Sequence, residues 1–130
     1  MGLLSSLFSP RPAPVMPVHV DAGNFAREVL RSEIPVLLDI WGPGCSPCKM
    51  LEPIVVNVAT RYQGRVKVAE MNAAESGAMA AQLGVMGTPT LIFFKGRREV
   101  ERVSGFVGER YIREIIDSEL LEGPASSGPS

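Results

Sequence analysis

The only cysteines of this chain, Cys45 and Cys48, stand three positions apart in Cys45-Ser46-Pro47-Cys48. Two thiols this close cannot tie distant parts of a fold together. They can form and break a disulfide with each other. The motif falls where an apolar run, Pro35 to Trp41, gives way to a segment of helical period that begins at Ser46. Residues three apart on a helix face the same way, with Cβ atoms roughly 5–6 Å apart. Small adjustments in a first turn bring them to the about 3.5–4.5 Å that a disulfide requires. The unpaired N–H groups and the positive end of the helix dipole favour a thiolate over a thiol at Cys45. Pro47 has no N–H to leave unpaired there, and its fixed φ stiffens the loop.

These features assign roles. Cys45, at the outer edge, attacks a substrate disulfide. Cys48, one turn deeper, resolves the mixed disulfide and must lose a proton to do so. Asp39 is the expected acceptor, since an acid inside Pro35-Val36-Leu37-Leu38-Asp39-Ile40-Trp41 has no other evident use. Burial raises a carboxyl pKa towards the range of a base that works near neutrality. Zinc would need about four ligands, and beyond the two cysteines the chain offers one histidine, His19. No metal is therefore expected, and no cofactor other than the redox-active Cys45–Cys48 disulfide. His19, between Val18 and Val20, reads as part of the scaffold.

A length of 130 residues corresponds to about one domain, and a net charge of −1 suggests neither nucleic acid nor an anionic membrane as partner. No apolar run approaches the ~20 residues of a membrane span. The first eight residues lack the basic region and the apolar length of a signal peptide. A lone CxxC without a framework of further cysteines fits a reducing compartment. A cytoplasmic monomer is expected.

The elements that must hold the motif follow from periodicity. Residues 1–17 contain a run of prolines and read as a flexible arm. Residues 18–121 form the domain, and 122–130 read as a disordered tail. Within the domain, Val18–Val20 is a short strand. Asp21 or Asn24 caps a helix that carries Phe25, Val29 and Leu30. Pro35–Trp41 is a strand buried on both faces. Ser46–Tyr62 is a long helix, Val66–Met71 a strand, and Glu75–Leu83 a short helix closed by Gly84. Thr90–Phe94 and Glu99–Val103 make a hairpin, and Glu109–Leu121 is an amphipathic helix. The order predicts an α/β fold with a central mixed sheet of about five strands and about four flanking helices.

Val36-Leu37-Leu38-Asp39-Ile40-Trp41, Cys45-Ser46-Pro47-Cys48-Lys49-Met50, Pro53, Gly87-Thr88-Pro89-Thr90-Leu91 and Phe94-Lys95-Gly96 follow one another in a single register between Val18 and Leu121. In that register the chain carries a resemblance to the thioredoxin family. It implies the thioredoxin fold and a protein-disulfide reductase. It further implies a cis Pro89 opposite the cysteines, a Thr88 whose backbone holds an extended substrate, and a Gly105 that lines the same groove ahead of Phe106. Trp41, Gly44 and Pro47 complete the substrate-binding set, and Pro53 should kink the helix. The implied partners are thioredoxin reductase or another electron donor, and disulfide-containing client proteins. A thiol oxidant or isomerase is the alternative reading. A thioredoxin-like binding module with a dedicated partner is another.

Three positions depart from the family. Gly44 stands where a tryptophan is usual, Ser46 stands where a glycine is usual, and Glu70 stands where a lysine commonly lies near the buried aspartate. A Glu70 close to Asp39 would raise a carboxyl pKa further.

Overall fold

The computed structural model describes residues 12–121, and in it the apolar run becomes the middle strand of a five-stranded sheet. The strands are β1 (Val18–His19), β2 (Val36–Trp41), β3 (Lys67–Asn72), β4 (Thr90–Lys95) and β5 (Arg98–Ser104), ordered β1-β3-β2-β4-β5. β1, β3 and β2 are mutually parallel, whereas β4 runs antiparallel to β2 and β5 antiparallel to β4. The sheet is mixed because the first two crossovers pass through helices, while β4 and β5 are joined by a tight turn in which Gly96 takes a φ of +66°.

Four helices flank the sheet among the described residues. The first, α1 (Ala26–Leu30), is a single π-helical turn. Its N-cap, Phe25, makes no side-chain capping bond; Asp21 and Asn24 instead close the preceding turn, each side-chain oxygen accepting the other's backbone N–H. The long helix α2 (Ser46–Arg61) runs through Pro53. The third, α3 (Gly77–Gln82), begins two residues later than its alanine-rich composition suggests. Asn72 Oδ1 accepts the N–H groups of Ala74 and Glu75 and holds the intervening segment as a turn. The last helix, α4 (Glu109–Ile115), continues as a π-helical stretch over Ile116–Leu121.

Side chains alternate across β2, so the strand feeds two cores. Leu37 packs with Leu51, Val55, Val58, Phe93, Ile112 and Ile116 between the sheet and helices α2 and α4. Val36, Leu38 and Ile40 pack with Phe25, Val29, Met71 and Phe94 on the opposite face. Each such buried side chain contributes about 1.5–3 kcal/mol relative to exposure. Asp39 and Trp41 share the face of Leu37 and sit under the start of α2.

The segment before β1 is also tied to the body. Val15 N–H donates to Thr60 Oγ1 at 2.9 Å, and its side chain packs against the α2–α4 core. Most of the expected N-terminal arm and the whole expected tail lie outside the described residues. No helix among the described residues is long and apolar enough to cross a membrane.

Candidate active site

Cys45 is the N-cap of α2, in extended conformation (φ −92°, ψ 105°). Its sulfur accepts the N–H of Cys48 at 3.2 Å, as the short polar side chains that usually cap helices do. The two cysteines are joined in a disulfide, with Cα atoms 5.2 Å apart. Cys45 is half-buried, whereas Cys48 is only 7% exposed. Ser46 and Pro47 occupy the first helical positions, where the missing N–H of proline costs no hydrogen bond. Gly44 has a φ of +72°, which favours glycine over any side chain, yet a Cβ there would meet nothing within 4 Å. Conformation rather than space accounts for glycine at this departure from the family.

Opposite the disulfide, the Thr88–Pro89 peptide is cis. The Thr88 carbonyl oxygen lies 3.6 Å from Cys45 Sγ. A disulfide sulfur has no proton to donate, so in this oxidised state that approach is a contact, and it is available to a thiol as a hydrogen bond. A Cβ on Gly42 would come within 3.2 Å of Thr88 Oγ1, so this glycine allows the two loops to meet. Gly105, at φ +90°, donates its N–H to the Pro89 carbonyl at 2.8 Å. Thr88, Pro89 and Gly105 therefore form one wall beside Cys45. Phe106, Met50 and Met86 are large apolar side chains left exposed, Met86 almost completely.

Behind the disulfide, a cleft of about 320 Å³ is lined by Cys48, Asp39, Trp41, Lys49, Glu52 and Glu70. Met16 and Pro17, from the segment before β1, form part of its wall. Asp39 is 7% exposed, and its Oδ1 has no hydrogen-bond partner. Burial is the main cause that pushes the Asp39 carboxyl from its ordinary 3.8 up to about 7, and the charges of Glu70 and then Glu52 add to it. Glu70 stands beside Asp39 in the β2–β3 register. Its two carboxylate oxygens are otherwise engaged: Trp41 Nε1–H donates to Oε1 at 2.6 Å, and His19 Nδ1 lies 2.8 Å from Oε2.

All nine site residues expected from the sequence are thus found on two sides of one disulfide. Asp39, Trp41, Gly44 and Cys48 line the rear cleft, and Cys45, Thr88, Pro89 and Gly105 lie at the front. Pro47 bridges the two within the helix start. Lys49, Glu52, Met16 and Pro17 were not anticipated. A helical repeat of three and four from Cys48 flags Glu52, but no local signal marks Met16 or Pro17. His19, read as scaffold, bonds to Glu70.

Residues 16–118 match the thioredoxin family model. The chain is 39% identical over 102 residues to thioredoxin 1 of Nostoc sp., covering 78% of this chain and 95% of the relative. Thioredoxin of Synechocystis sp. gives the same identity and the same coverage. The chloroplastic M-type thioredoxin of Chlamydomonas reinhardtii is 33% identical over 115 residues, covering 86% of this chain and 82% of the relative. With the mixed five-stranded sheet and a disulfide at the start of α2, these matches place the chain in the thioredoxin family, as a thiol-disulfide oxidoreductase of the protein-disulfide reductase type.

Proposed function

We propose that this chain reduces client protein disulfides with Cys45 as nucleophile, Cys48 as resolving thiol and Asp39 as the base that serves Cys48. In the reduced protein the Cys45 thiolate attacks one sulfur of the client disulfide. A Cys45–client bond forms, and the other client sulfur leaves as a thiolate. Asp39 takes the Cys48 proton across the shared cleft. The Cys48 thiolate then attacks Cys45 Sγ, which expels the second client thiolate and leaves the Cys45–Cys48 disulfide. Two electrons have passed to the client. A thioredoxin reductase, or another dithiol donor, returns them in the cytoplasm.

The observation that carries this reading is the buried carboxyl of Asp39, without a hydrogen-bond partner and facing the same cleft as Cys48. A carboxyl raised to about 7 accepts a proton near neutral pH far better than an ordinary aspartate. The loop before cis Pro89, with Gly105 beside it, supports docking of an extended client segment at Cys45. Neither nucleic acid nor a membrane enters the mechanism, which a monomer can perform.

The test is dithiothreitol-driven reduction of insulin by wild type, Cys45→Ser and Cys48→Ser. Cys45→Ser should lose activity to the uncatalysed rate. Pre-reduced Cys48→Ser, mixed with insulin after removal of dithiothreitol, should accumulate a stable Cys45–client mixed disulfide. A Cys45→Ser variant as fast as wild type would end the assignment.

A further inference from the structure

His19 of β1, Glu70 of β3 and Asp39 of β2 stand in register across three parallel strands. Register partners in such strands present their side chains to the same face. The three residues therefore form one lateral row that ends at the cleft beside Cys48. At the far end of the row, His19 is held at both ring nitrogens. Nδ1 lies 2.8 Å from Glu70 Oε2, and Nε2 lies 3.0 Å from Glu75 Oε1. A neutral imidazole can donate from one nitrogen only, so the imidazolium alone satisfies both carboxylates. The remaining Glu70 oxygen accepts from Trp41.

We propose that His19 is a positioning residue for thiol–disulfide exchange. As an imidazolium it gives Glu70 a counter-cation, so that Asp39 faces a bridged ion pair rather than a bare anion, and it fixes the Glu70 carboxylate that pins Trp41. The proposal rests on the reading of Asp39 as the base for Cys48.

The surrounding charges decide the sign. His19 is faced by Glu70 of β3, Glu75 of the β3–α3 turn and Asp21 of the β1–α1 turn, all acidic. The Glu70 hydrogen bond first, and then its charge, hold the imidazolium above its ordinary value of 6.5. Asp39 is faced by Glu70 of β3 and Glu52 of α2, with Cys48 and Lys49 of α2 lining the same cleft, while its β4 partner Leu91 carries no charge. A cation at position 19 opposes the Glu70 charge and favours ionised Asp39. Its loss leaves that repulsion unopposed and moves Asp39 ionisation to higher pH. Two strand spacings separate the ends of the row by ~10 Å. At a dielectric between that of water and half of it, a unit charge at this distance moves a titration by about 0.3–0.6 pH unit.

The experiment follows Asp39 ionisation by carboxyl ¹³C NMR, together with the pH profile of single-turnover insulin reduction. It compares wild type, His19→Gln and His19→Lys. His19→Gln should move both midpoints up by about 0.3–0.6 pH unit. His19→Lys, which keeps the charge without titrating in this range, should return both to the wild-type values. Trp41 is the only tryptophan of the chain. Its fluorescence should titrate with His19 in wild type, at a midpoint above 6.5, and lose that step in both variants. An Asp39 midpoint that does not move in His19→Gln, or that moves equally in His19→Lys, overturns the proposal. A shifted Asp39 midpoint with an unshifted exchange profile overturns Asp39 as the base and leaves its coupling to His19 standing.

Discussion

Tyr62 and Asp39, at opposite ends of α2, handle their polar groups in opposite ways. At its C-terminus every polar group of Tyr62 has a partner. Its N–H bonds to the Val58 carbonyl, and its own carbonyl accepts from Arg65 and Val66. Its hydroxyl reaches Asp117 Oδ1 at 2.9 Å, and the Arg65 guanidinium stacks over its ring. At the N-terminus the structure leaves groups unsettled. Asp39 is buried with an oxygen unpaired, three carboxylates adjoin one cleft, and a sulfur serves as helix cap. The satisfied end locks α2 to α4 and adds stability. The unsatisfied end costs stability and gains reactivity, because a group held away from its preferred protonation state is ready to change it.

The largest effect that would test this contrast is on folding. Asp39 has a folded-state pKa of about 7 against 3.8 as a free carboxyl. Ionisation therefore adds no penalty to its burial below pH 3.8, and that penalty grows as pH rises to 7. Removing the carboxyl in Asp39→Ala should stabilise the oxidised protein by about 2–4 kcal/mol at pH 8, after allowance for a small cavity. The gain should vanish at pH 3.5. Urea unfolding at the two pH values measures both, and a variant less stable than wild type at pH 8 would erase the contrast.

A smaller effect sharpens it. Glu70→Lys replaces a repulsive neighbour of Asp39 with an attractive one. The midpoint of the pH profile for disulfide resolution should fall by roughly one pH unit. An unchanged profile would show that Glu70 does not act on the proton transfer.

The smallest effect concerns the satisfied end. Tyr62→Phe removes one partly buried hydrogen bond and should cost about 1 kcal/mol in urea unfolding. Insulin reduction should stay at the wild-type rate. A slowed reaction would mean that the two ends are not separate.

Much of this division is legible in the residue string. An acid inside Val36–Trp41 is conspicuous because each of its neighbours belongs in a core, and a CxxC at the strand-to-helix junction announces its geometry. The order of elements follows from periods of two and three-to-four. What escapes is whatever depends on strand register or on a single side chain in a turn. His19 meets Glu70 only because β1 pairs with β3, 51 residues away. The start of α3 is delayed by the Asn72 side chain, which accepts the N–H groups of Ala74 and Glu75 and so keeps Glu75 and Ser76 in a turn. The π-helical form of α1 has no signature in its composition. Glu70 near Asp39 is anticipated from the family likeness, but its grip on Trp41 is not.

The bond from Val15 to Thr60 has a practical consequence. It lays Met16 and Pro17 against the cleft that holds Asp39, so a stretch of chain outside every helix and strand helps set how much water that carboxyl sees. A purification tag, or any protein that grips the residues just before β1, then becomes an electrostatic reagent. By lifting or pressing down that stretch it would retune the acidity of a group it never touches, and an enzyme assayed with and without such a tag would display two different pH optima.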